Sequence, residues 1–359
     1  MKAFVTGGTG FIGSRVVRRL IERGYDVTCL VRRPEKAAAL RELGATLVQG
    51  DITDRDSMRQ GMTGADVVFH CAGWCEVGLP RSAEERMERI NVGGTENVFE
   101  LAVELGVPKI VYTSTVGILG DTCCLVADET HQRDSSFDSA YDRTKYRAHQ
   151  VAERYIAQGA PVIIVMPAGV YGPGDRCMIG TSVRLLLRRM LPVMPGADTG
   201  FSFVHVEDVA EGHILAAEKG QAGQSYILGG DVMTAGDALQ VIARLSGVPA
   251  PLLLLDSKLV APLGPVANWI EGFVPLPPML SSEMLQSLGR TWWVTPAKAQ
   301  RELGYTHRSI EEGMAETVLW EAAQLRGQPA IVQPKTLLAL AAIAFSLGVV
   351  LLRGRRKHT

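Results

Sequence analysis

Short apolar runs rich in β-branched residues alternate with longer stretches of helical periodicity through residues 1–167. Alternation of this kind is typical of βαβ units, in which a helix connects one parallel strand to the next. We predict strands at residues 3–5, 26–31, 46–49, 67–70, 109–113 and 162–166. We predict long helices at residues 11–23, 83–105 and 139–158. The expected fold class is therefore α/β, a doubly wound parallel sheet with helices on both faces.

The alternation loosens after residue 167, where loop-rich pieces are mixed with helical patterns. We predict an α/β core over residues 1–167, to which residues 201–229 return. A smaller substrate lobe is expected over residues 168–200 and 230–325, because residues 249–280 within it are rich in Pro, Leu and Val. In the returning segment we expect Asp208 or Glu207 to cap a helix, and His205 to pack on the preceding strand.

A run of 17 residues without a charge, 336–352, follows a linker at residues 326–335 and precedes a basic tail at residues 353–359. As a helix it would span about 25 Å, slightly less than a hydrocarbon core of about 30 Å. Because the run is apolar on every face, we predict a C-terminal hydrophobic helix that anchors the protein in a membrane. The alternative is a buried terminal helix. The basic tail leaves open whether the anchor spans the bilayer or lies in its interface.

A glycine-rich sequence, Thr6-Gly7-Gly8-Thr9-Gly10-Phe11-Ile12-Gly13, lies between the first predicted strand and the first predicted helix. Here Gly7 permits a tight turn, Gly10 lets the backbone approach a pyrophosphate, and Gly13 allows close packing of the helix on the sheet. The phosphates would meet free N–H groups at the positive end of the helix. We therefore expect a Rossmann core whose dinucleotide is bound by Gly7, Gly10, Phe11, Ile12 and Gly13.

Two arginines follow the second predicted strand, in Cys29-Leu30-Val31-Arg32-Arg33. An acidic residue at this point would bind the ribose hydroxyls of NAD and repel a 2′-phosphate. A guanidinium at Arg32 or Arg33 would instead pair with that phosphate. We therefore expect NADP(H). NAD(H) is the alternative if both arginines are solvated residues that open a helix.

Two more segments end predicted strands and are expected to contact the cofactor. Asp51-Ile52 follows the third strand, where the carboxylate could accept a hydrogen bond from the adenine amino group. The alternative for Asp51 is a helix cap, a role for which Asp54 competes. Small residues after the fourth strand would let the backbone approach the ribose, and these are Cys71, Ala72 and Gly73.

Tyr141 and Lys145 are four residues apart, a spacing that puts both on one face of a helix. An ammonium near a tyrosine stabilises the phenolate and lowers its pKa from about 10 toward the working range of an acid/base. Thr115, from the fifth strand, would hydrogen-bond the oxygen of a substrate carbonyl. Alone, the Tyr/Lys pair could be an ordinary surface pair. With the glycine-rich loop and the upstream hydroxyl, it predicts a catalytic site.

Charge and cysteine content exclude other classes of partner. The formal net charge is -1, so no overall field draws the chain toward nucleic acid. The six cysteines form no CxxC pair, and no Cys/His cluster has zinc spacing, so no metal is expected. The start of the chain has no signal-peptide pattern. We therefore expect reduced thiols and a cytoplasmic active site; the oligomeric state, including a homodimer, stays open.

Seven segments in order resemble the extended short-chain dehydrogenase/reductase superfamily, the NAD-dependent epimerase/dehydratase family. They are TGGTGFIG, GDITD, FHCAG, NVGGTENV, YTSTVGILG, YDRTK and PAGVYGPGD. The resemblance covers about residues 1–325. FVHVEDVAEGHILAAEKG, SYILGG and KAQRELGY look like the C-terminal half of one subgroup. That subgroup includes dihydroflavonol-4-reductase-like, 3β-hydroxysteroid-dehydrogenase-like and hopanoid-associated epimerase-like proteins.

The resemblance implies a role for each matching position. Thr115 or Ser114 would supply the hydroxyl, Tyr141 the acid/base and Lys145 its partner, which would also hold the nicotinamide ribose. Asn91 would be the structural asparagine of the central helix. The nicotinamide would be lined by Pro167 and Val170.

Two positions depart from the family pattern. Thr115 stands where serine is commoner, and it keeps the hydroxyl donor. Residues 198–202, Asp-Thr-Gly-Phe-Ser, lack the arginine that nucleotide-sugar enzymes usually place there for a diphosphate. We therefore expect an NADP(H)-dependent oxidoreductase that reduces a carbonyl, or oxidises the alcohol, of an apolar or amphipathic small molecule. The alternatives are a sugar epimerase or dehydratase with tightly bound NAD(P), and a non-catalytic NADPH-binding sensor.

Overall fold

The computed structural model describes residues 1–76, 83–137, 139–271 and 281–326. Its large sheet is parallel throughout, as predicted. Its strands are β1 (Lys2–Thr6), β2 (Asp26–Val31), β3 (Thr46–Gln49), β4 (Val67–His70), β5 (Ile110–Thr113), β6 (Val162–Pro167) and β10 (Ser225–Leu228). Their order is β3-β2-β1-β4-β5-β6-β10. The six predicted strands are confirmed, with shifts of one residue at some ends.

Helices lie on both faces of this sheet and in the second lobe. They are α1 (Phe11–Glu22), α2 (Ala38–Glu42), α3 (Arg55–Met62), α4 (Glu84–Glu88), α5 (Gly94–Glu104), α6 (Ala140–Ala157), α7 (Met178–Leu187), α8 (Val206–Lys219), α9 (Ala235–Ser246), α10 (Ser257–Val260), α11 (Gly264–Glu271), α12 (Ser282–Ser287), α13 (Ala297–Leu303) and α14 (Ile310–Leu325). The long helix predicted at 83–105 is divided, because a π-helical turn, Arg89–Gly93, separates α4 from α5. Such turns often mark functional sites.

Two apolar clusters fill the two faces of the large sheet. One contains α1 and α8 residues such as Val17 and Ile214, and the other contains α5 and α6 residues such as Phe99 and Ala148. Strands that are covered on both faces consist of nearly continuous apolar residues. This is why the strands of the large sheet could be predicted from the sequence. The sheet is therefore a rigid platform for the loops at its carboxyl edge.

A smaller sheet surrounds β9 in the second lobe. Its strands are β7 (Gly169–Tyr171), β9 (Gly200–His205), β11 (Asp231–Thr234) and β13 (Thr291–Trp292). A separate parallel pair joins β8 (Val193–Pro195) to β12 (Leu253–Leu255). In the segment predicted to return to the core, residues 201–205 pair in the small sheet, Val204 also packs in the core cluster, and α8 and β10 belong to the core.

The prediction that Asp208 or Glu207 caps α8 is wrong. His205 is the N-cap residue, and its Nδ1 accepts a hydrogen bond from the Glu207 N–H at 3.3 Å. Asp208 instead accepts hydrogen bonds from Arg308, at 2.9 Å to Nη2. Glu207 pairs with arginines of α1, including Arg19 at 3.3 Å. Each carboxylate has a strong cationic partner, so the imidazole is left to serve as the acceptor at the helix start.

The C-terminal prediction falls outside the described part of the chain. Arg326, the first residue of the predicted linker, caps α14, but the rest of 326–335, the apolar run 336–352 and the basic tail 353–359 are not described. Among the helices that the structure does describe, none is long and apolar enough to cross a membrane.

Candidate active site

The predicted site residues come together at the carboxyl edge of the large sheet. The strand order reverses between β1 and β4, and crevices at such switch points bind ligands in open α/β sheets. Pro167 ends β6 and pairs with Leu228 of β10. Val170 lies in β7 and pairs with Val204. The core strands and the small sheet therefore both border this edge.

The glycine-rich loop makes contacts that only glycine permits. Gly7 has φ +74°, and a Cβ there would lie 2.6 Å from the backbone nitrogen of Ala72, so the loop lies directly against the segment after β4. The Gly10 N–H donates to the Gly7 carbonyl at 2.8 Å. A Cβ on Gly13 would collide with that same carbonyl. Gly13 therefore allows α1 to approach the loop, and not the sheet as expected from the sequence.

The start of α1 suits a bound pyrophosphate. Gly10 is its N-cap residue and offers no side-chain acceptor, so the first-turn N–H groups of Phe11, Ile12 and Gly13 point out of the helix end without a capping side chain. The helix dipole adds a partial positive charge at the same place. These residues fit the diphosphate of a dinucleotide.

Of the residues expected around the adenosine end of the cofactor, the two arginines are exposed and the aspartate is hydrogen-bonded within its own loop. Arg32 and Arg33 are exposed just after β2, and neither forms an ion pair with another described residue. The carboxylate of Asp51 accepts hydrogen bonds from the N–H and hydroxyl of Thr53, both at 2.9 Å. Asp54, and not Asp51, caps α3.

Ile52 is fixed against the start of α5. Its carbonyl accepts a hydrogen bond from Nδ2 of Asn97 at 2.9 Å, and a Cβ on Gly94 would lie 2.6 Å from its Cδ1. The backbone after β3 is therefore held in one position next to Asp51. This close approach explains why position 94, the second glycine of NVGGTENV, is a glycine.

Thr115 and Tyr141 are neighbours: the turn that Thr115 caps packs against α6, and hydrogen bonding from the Thr115 side chain acts to lower the pKa of the Tyr141 phenol. Thr115 is the N-cap residue of a 3₁₀ turn, Val116–Leu119, and its Oγ1 accepts from the Gly117 N–H at 3.1 Å. Tyr141 lies in the first turn of α6, which begins after the Ser139 cap. Ser114, the other hydroxyl that the sequence left open, is buried and bonded to His149 Nδ1 at 2.9 Å.

The ammonium of Lys145 is buried beneath the site. It donates to the carbonyl oxygen of Thr113 at 2.8 Å and to the hydroxyl of Tyr112 at 3.3 Å. It also lies 4.9 Å from the centroid of the Tyr112 ring, within range of a cation–π contact. These contacts hold Lys145 at the end of β5, one helical turn from Tyr141.

The pKa of Tyr141 moves in the direction opposite to the prediction. Burial raises this pKa well above its ordinary value, and the neighbouring thiol of Cys75 raises it further. The hydrogen bond with Thr115 acts in the lowering direction and is outweighed. The net shift of the Tyr141 pKa in this structure is therefore upward, against the lowering expected from Lys145.

Asn91 links the segment after β4 to the helix that carries Tyr141. Its Oδ1 accepts from the Trp74 N–H at 2.7 Å, and its Nδ2 donates to the Thr144 hydroxyl at 3.0 Å. It lies in the π-helical turn and is almost fully buried. The structural position expected for Asn91 fits these contacts. They also fix the backbone after Gly73.

Sequence reasoning missed the influence of Cys75 on Tyr141. Cys75 follows β4, and the charge and hydrogen bonding of its thiol are among the causes that raise the pKa of Tyr141. No motif in the sequence links the two residues, so no local signal identified this influence. Among the described residues, no group of three or more metal-ligating side chains could hold a metal ion.

The chain matches the model of one protein family over more than half of its length. The model of the NAD dependent epimerase/dehydratase family matches residues 3–229. A dTDP-glucose 4,6-dehydratase double mutant from Streptomyces venezuelae, crystallised with NAD bound, has the same fold with a TM-score of 0.73. It is 25% identical, and the match covers 91% of this chain and 98% of that one.

Two relatives are similar over most of their length. Sterol demethylase protein B of Methylococcus capsulatus is 30% identical, with 89% of this chain and 98% of the relative covered. The 4-hydroxy-2-methyl-3-oxo-4-farnesyl-3,4-dihydroquinoline-1-oxide ketoreductase of Stigmatella aurantiaca is 30% identical, with 86% and 92% covered. The chain therefore belongs to the NAD-dependent epimerase/dehydratase family, the extended short-chain dehydrogenases and reductases, and is an NAD(P)-dependent oxidoreductase.

Proposed function

We propose that this protein is an NADP(H)-dependent oxidoreductase that reduces a carbonyl, or oxidises the corresponding alcohol, of an apolar or amphipathic small molecule. The observation that carries the proposal is the placement of Thr115, after β5, beside Tyr141 at the carboxyl edge of the sheet, where the turn that Thr115 caps packs on α6. Two neighbouring hydroxyls can both donate a hydrogen bond to the same oxygen. A substrate carbonyl is such an oxygen.

The chemistry at the oxygen is assigned to three side chains. Tyr141 donates its phenolic proton to the carbonyl oxygen as the alcohol forms, and Thr115 donates a hydrogen bond that fixes the oxygen. Lys145, held by Thr113, contributes a positive charge that stabilises the phenolate left behind. When bound, the nicotinamide would supply the hydride for the substrate carbon. The raised pKa of Tyr141 keeps its proton available at neutral pH.

The cofactor assignment rests on the cradle around the glycine-rich loop. Gly7, Gly10, Phe11, Ile12 and Gly13 would bind the diphosphate, and the backbone at Cys71, Ala72 and Gly73 would face the ribose. Asp51 and Ile52 would border the adenine.

Arg32 and Arg33 give the preference for NADP(H). Both are exposed after β2, where their guanidinium groups are available for a 2′-phosphate. The contribution of such a charge-assisted contact is about 1.5–3 kcal/mol.

The substrate class is inferred from the second lobe. Asp198 accepts two hydrogen bonds from Ser257, at 2.8 Å from its N–H and 2.6 Å from its hydroxyl, in the segment where an arginine for a nucleotide sugar is missing. Phe201 stacks on Trp292 with centroids 5.4 Å apart. The strand that carries Trp292 contacts the turn Val116–Leu119 after Thr115. The Stigmatella aurantiaca relative, whose name describes a ketoreductase of a farnesylated quinoline oxide, supports an apolar ketone as the substrate here.

We also propose that residues 336–352 hold the enzyme at a membrane with its active site on the cytoplasmic side. The uncharged run of 17 residues before a basic tail supports this. The second lobe exposes large apolar side chains, among them Leu252, Leu259 and Trp269. An anchored enzyme would take apolar substrate directly from the lipid.

The test is the cofactor balance of turnover. Purified protein is incubated with NADPH and a panel of apolar ketones, phenolics and nucleotide sugars, and both NADPH and product are quantified. We expect one NADPH to be oxidised for each alcohol formed from an apolar ketone. Turnover of a nucleotide sugar without net consumption of NADPH would overturn the proposal and identify an epimerase. Tight NADPH binding without any turnover would identify a sensor.

A further inference from the structure

Arg133 is almost completely buried between two segments that the proposed function uses. It lies in the part of the chain that connects the turn Val116–Leu119 to α6, and its side chain is only 5% exposed. All three nitrogens of its guanidinium group donate, and they form five hydrogen bonds. Because the guanidinium is planar and its donors are in fixed directions, these bonds hold it in one orientation.

The hydrogen bonds of Arg133 join the turn after β5 to the start of α6. Its Nη1 donates to the carbonyl oxygen of Gly117 at 3.0 Å, in the turn that Thr115 caps. Both Nη atoms donate to the carboxylate of Asp142, at 3.1 Å to Oδ1 and 2.5 Å to Oδ2. Asp142 directly follows Tyr141 in the first turn of α6. One rigid group therefore links the segment of the hydroxyl to the segment of the phenol.

The rest of the guanidinium is held by its own segment. Nε donates to the carbonyl oxygen of Ser135 at 2.9 Å, and Nη2 donates to that of Ser136 at 2.7 Å. The guanidinium carbon lies 4.4 Å from the centroid of the Phe137 ring, within range of a cation–π contact. Gly120 has φ +77°, and a Cβ there would lie 3.0 Å from Cγ of Arg133, so glycine lets this segment fold back against the turn.

We propose that Arg133 is a positioning residue that sets the separation of the Thr115 and Tyr141 hydroxyls. The inference rests on the proposed function, which assigns both hydroxyls to one substrate oxygen. Arg133 acts through the Gly117 carbonyl and the Asp142 carboxylate, and each of these belongs to the same turn of the chain as one of the hydroxyls. Misplacement of a reacting group by about 1 Å can cost about a hundredfold in rate, so loss of the link should be visible in turnover.

The first experiment needs no substrate. Hydrogen exchange of the full-length protein is followed by peptide mass spectrometry in the wild type, in Arg133→Ala and in Arg154→Ala. The control removes another arginine–carboxylate pair of α6, since Arg154 Nη2 donates to Oε1 of Glu96 at 2.6 Å on the exposed side of the helix.

We expect Arg133→Ala to exchange about tenfold faster than the wild type both in the turn at 116–120 and in the first two turns of α6. Arg154→Ala should leave both segments unchanged. Guanidinium chloride at millimolar concentration, too low to unfold the protein, should restore part of the protection by occupying the vacated position. Wild-type exchange in either segment of Arg133→Ala would overturn the inference.

The second experiment asks whether the link acts through the two hydroxyls. Steady-state turnover of the best ketone is measured for Arg133→Ala, Thr115→Val and the double variant. We expect Arg133→Ala to lower kcat about ten- to a hundredfold, with NADPH affinity within about threefold of wild type and partial recovery of kcat with guanidinium.

Because Thr115 is already misplaced in Arg133→Ala, the further change Thr115→Val should cost less than about threefold there, against about a hundredfold in the wild type. Arg133→Lys should not restore kcat, because a single ammonium cannot span the carboxylate and the carbonyl. Losses that multiply in the double variant would show that Arg133 only stabilises the fold, and would overturn the inference.

Failure of the inference and failure of the proposed function give different results. If Tyr141→Phe is inactive while Arg133→Ala keeps wild-type kcat, the proposed function stands and the positioning role is wrong. If Tyr141→Phe keeps wild-type turnover, the proposed function is wrong and the positioning role falls with it, even where hydrogen exchange shows that Arg133 links the two segments.

Discussion

Ser114 and His149 share a hydrogen bond of 2.9 Å, between Oγ and Nδ1, in the buried interface between β5 and α6. This bond commits Ser114 to the packing of the helix on the sheet. The neighbouring side chain of Thr115 is the one whose hydrogen bonding acts on the pKa of Tyr141. The chain therefore has two adjacent hydroxyls with separate tasks, and substitutions at the two positions should have separate effects.

Thr115→Val should lower kcat about a hundredfold, because one preorganised donor to the substrate oxygen is lost. Thr115→Ser should restore most of it. Ser114→Ala should leave kcat within about threefold of wild type but lower the free energy of unfolding by about 1–2 kcal/mol, since His149 Nδ1 loses its partner. Steady-state kinetics and urea unfolding measure the two effects. Equal losses of kcat in Thr115→Val and Ser114→Ala would contradict the division of tasks.

The double substitution Arg32→Ala/Arg33→Ala should weaken NADPH binding about ten- to a hundredfold and leave NADH binding little changed. The reason is the loss of a charge-assisted contact with the 2′-phosphate. Fluorescence titration with both cofactors gives the dissociation constants. Arg41→Ala, at an exposed arginine of α2, serves as the control for a general change of charge. Equal affinity of the wild-type protein for NADH and NADPH would show that the arginines have no such role.

Stability should fall as the pH is lowered from neutral. Burial, with a smaller contribution from the charge of Lys145, lowers the pKa of His70 to about 3 from an ordinary value of 6.5. Below pH 6.5 the His70 imidazole binds a proton in the unfolded chain, whereas in the folded chain it stays neutral until about pH 3. The free energy of unfolding is therefore fully retained above pH 6.5 and decreases through this window.

The contribution of His70 can be isolated with His70→Asn. Its amide could still bond the hydroxyls of Thr6 and Thr95, which lie 2.7 and 3.0 Å from the imidazole nitrogens. In urea unfolding at several pH values, the free energy of unfolding of the variant should decline less steeply below pH 6.5 than that of the wild type. Above pH 7 the two free energies should differ by a constant amount. Parallel curves for the two proteins across the whole range would mean that His70 does not set this dependence.

Deletion of residues 330–359 should release the protein from membranes. We expect the full-length chain to stay in the pellet after a carbonate wash and the truncated chain to appear in the supernatant, because the uncharged run is removed. NADPH binding by the truncated chain reports that its fold is intact. Full-length protein in the detergent-free supernatant would show that this segment is no anchor.

The sequence was most informative where one local pattern sufficed. Strands covered on both faces read as apolar runs, and the glycine-rich loop lies where β1 meets α1, so the core sheet and its cofactor edge could be predicted. The spacing of Tyr141 and Lys145 likewise placed both on α6.

Features that depend on distant packing could not be predicted. His205 caps α8 because Asp208 and Glu207 are bound by arginines from other elements. The pKa of Tyr141 is raised because burial and the neighbouring Cys75 outweigh the lowering expected from Lys145. No local periodicity carries information of this kind.

The most direct test of the catalytic assignment is the turnover of Tyr141→Phe with the best ketone found for the wild type. We expect kcat to fall at least about a hundredfold while NADPH affinity stays nearly unchanged, because acid/base catalysis is lost and the cofactor cradle is intact. Tyr155→Phe, farther along α6 with its ring against Phe99, should retain wild-type turnover. Tyr141→Phe turnover close to that of the wild type would contradict the assignment of Tyr141 as the proton donor.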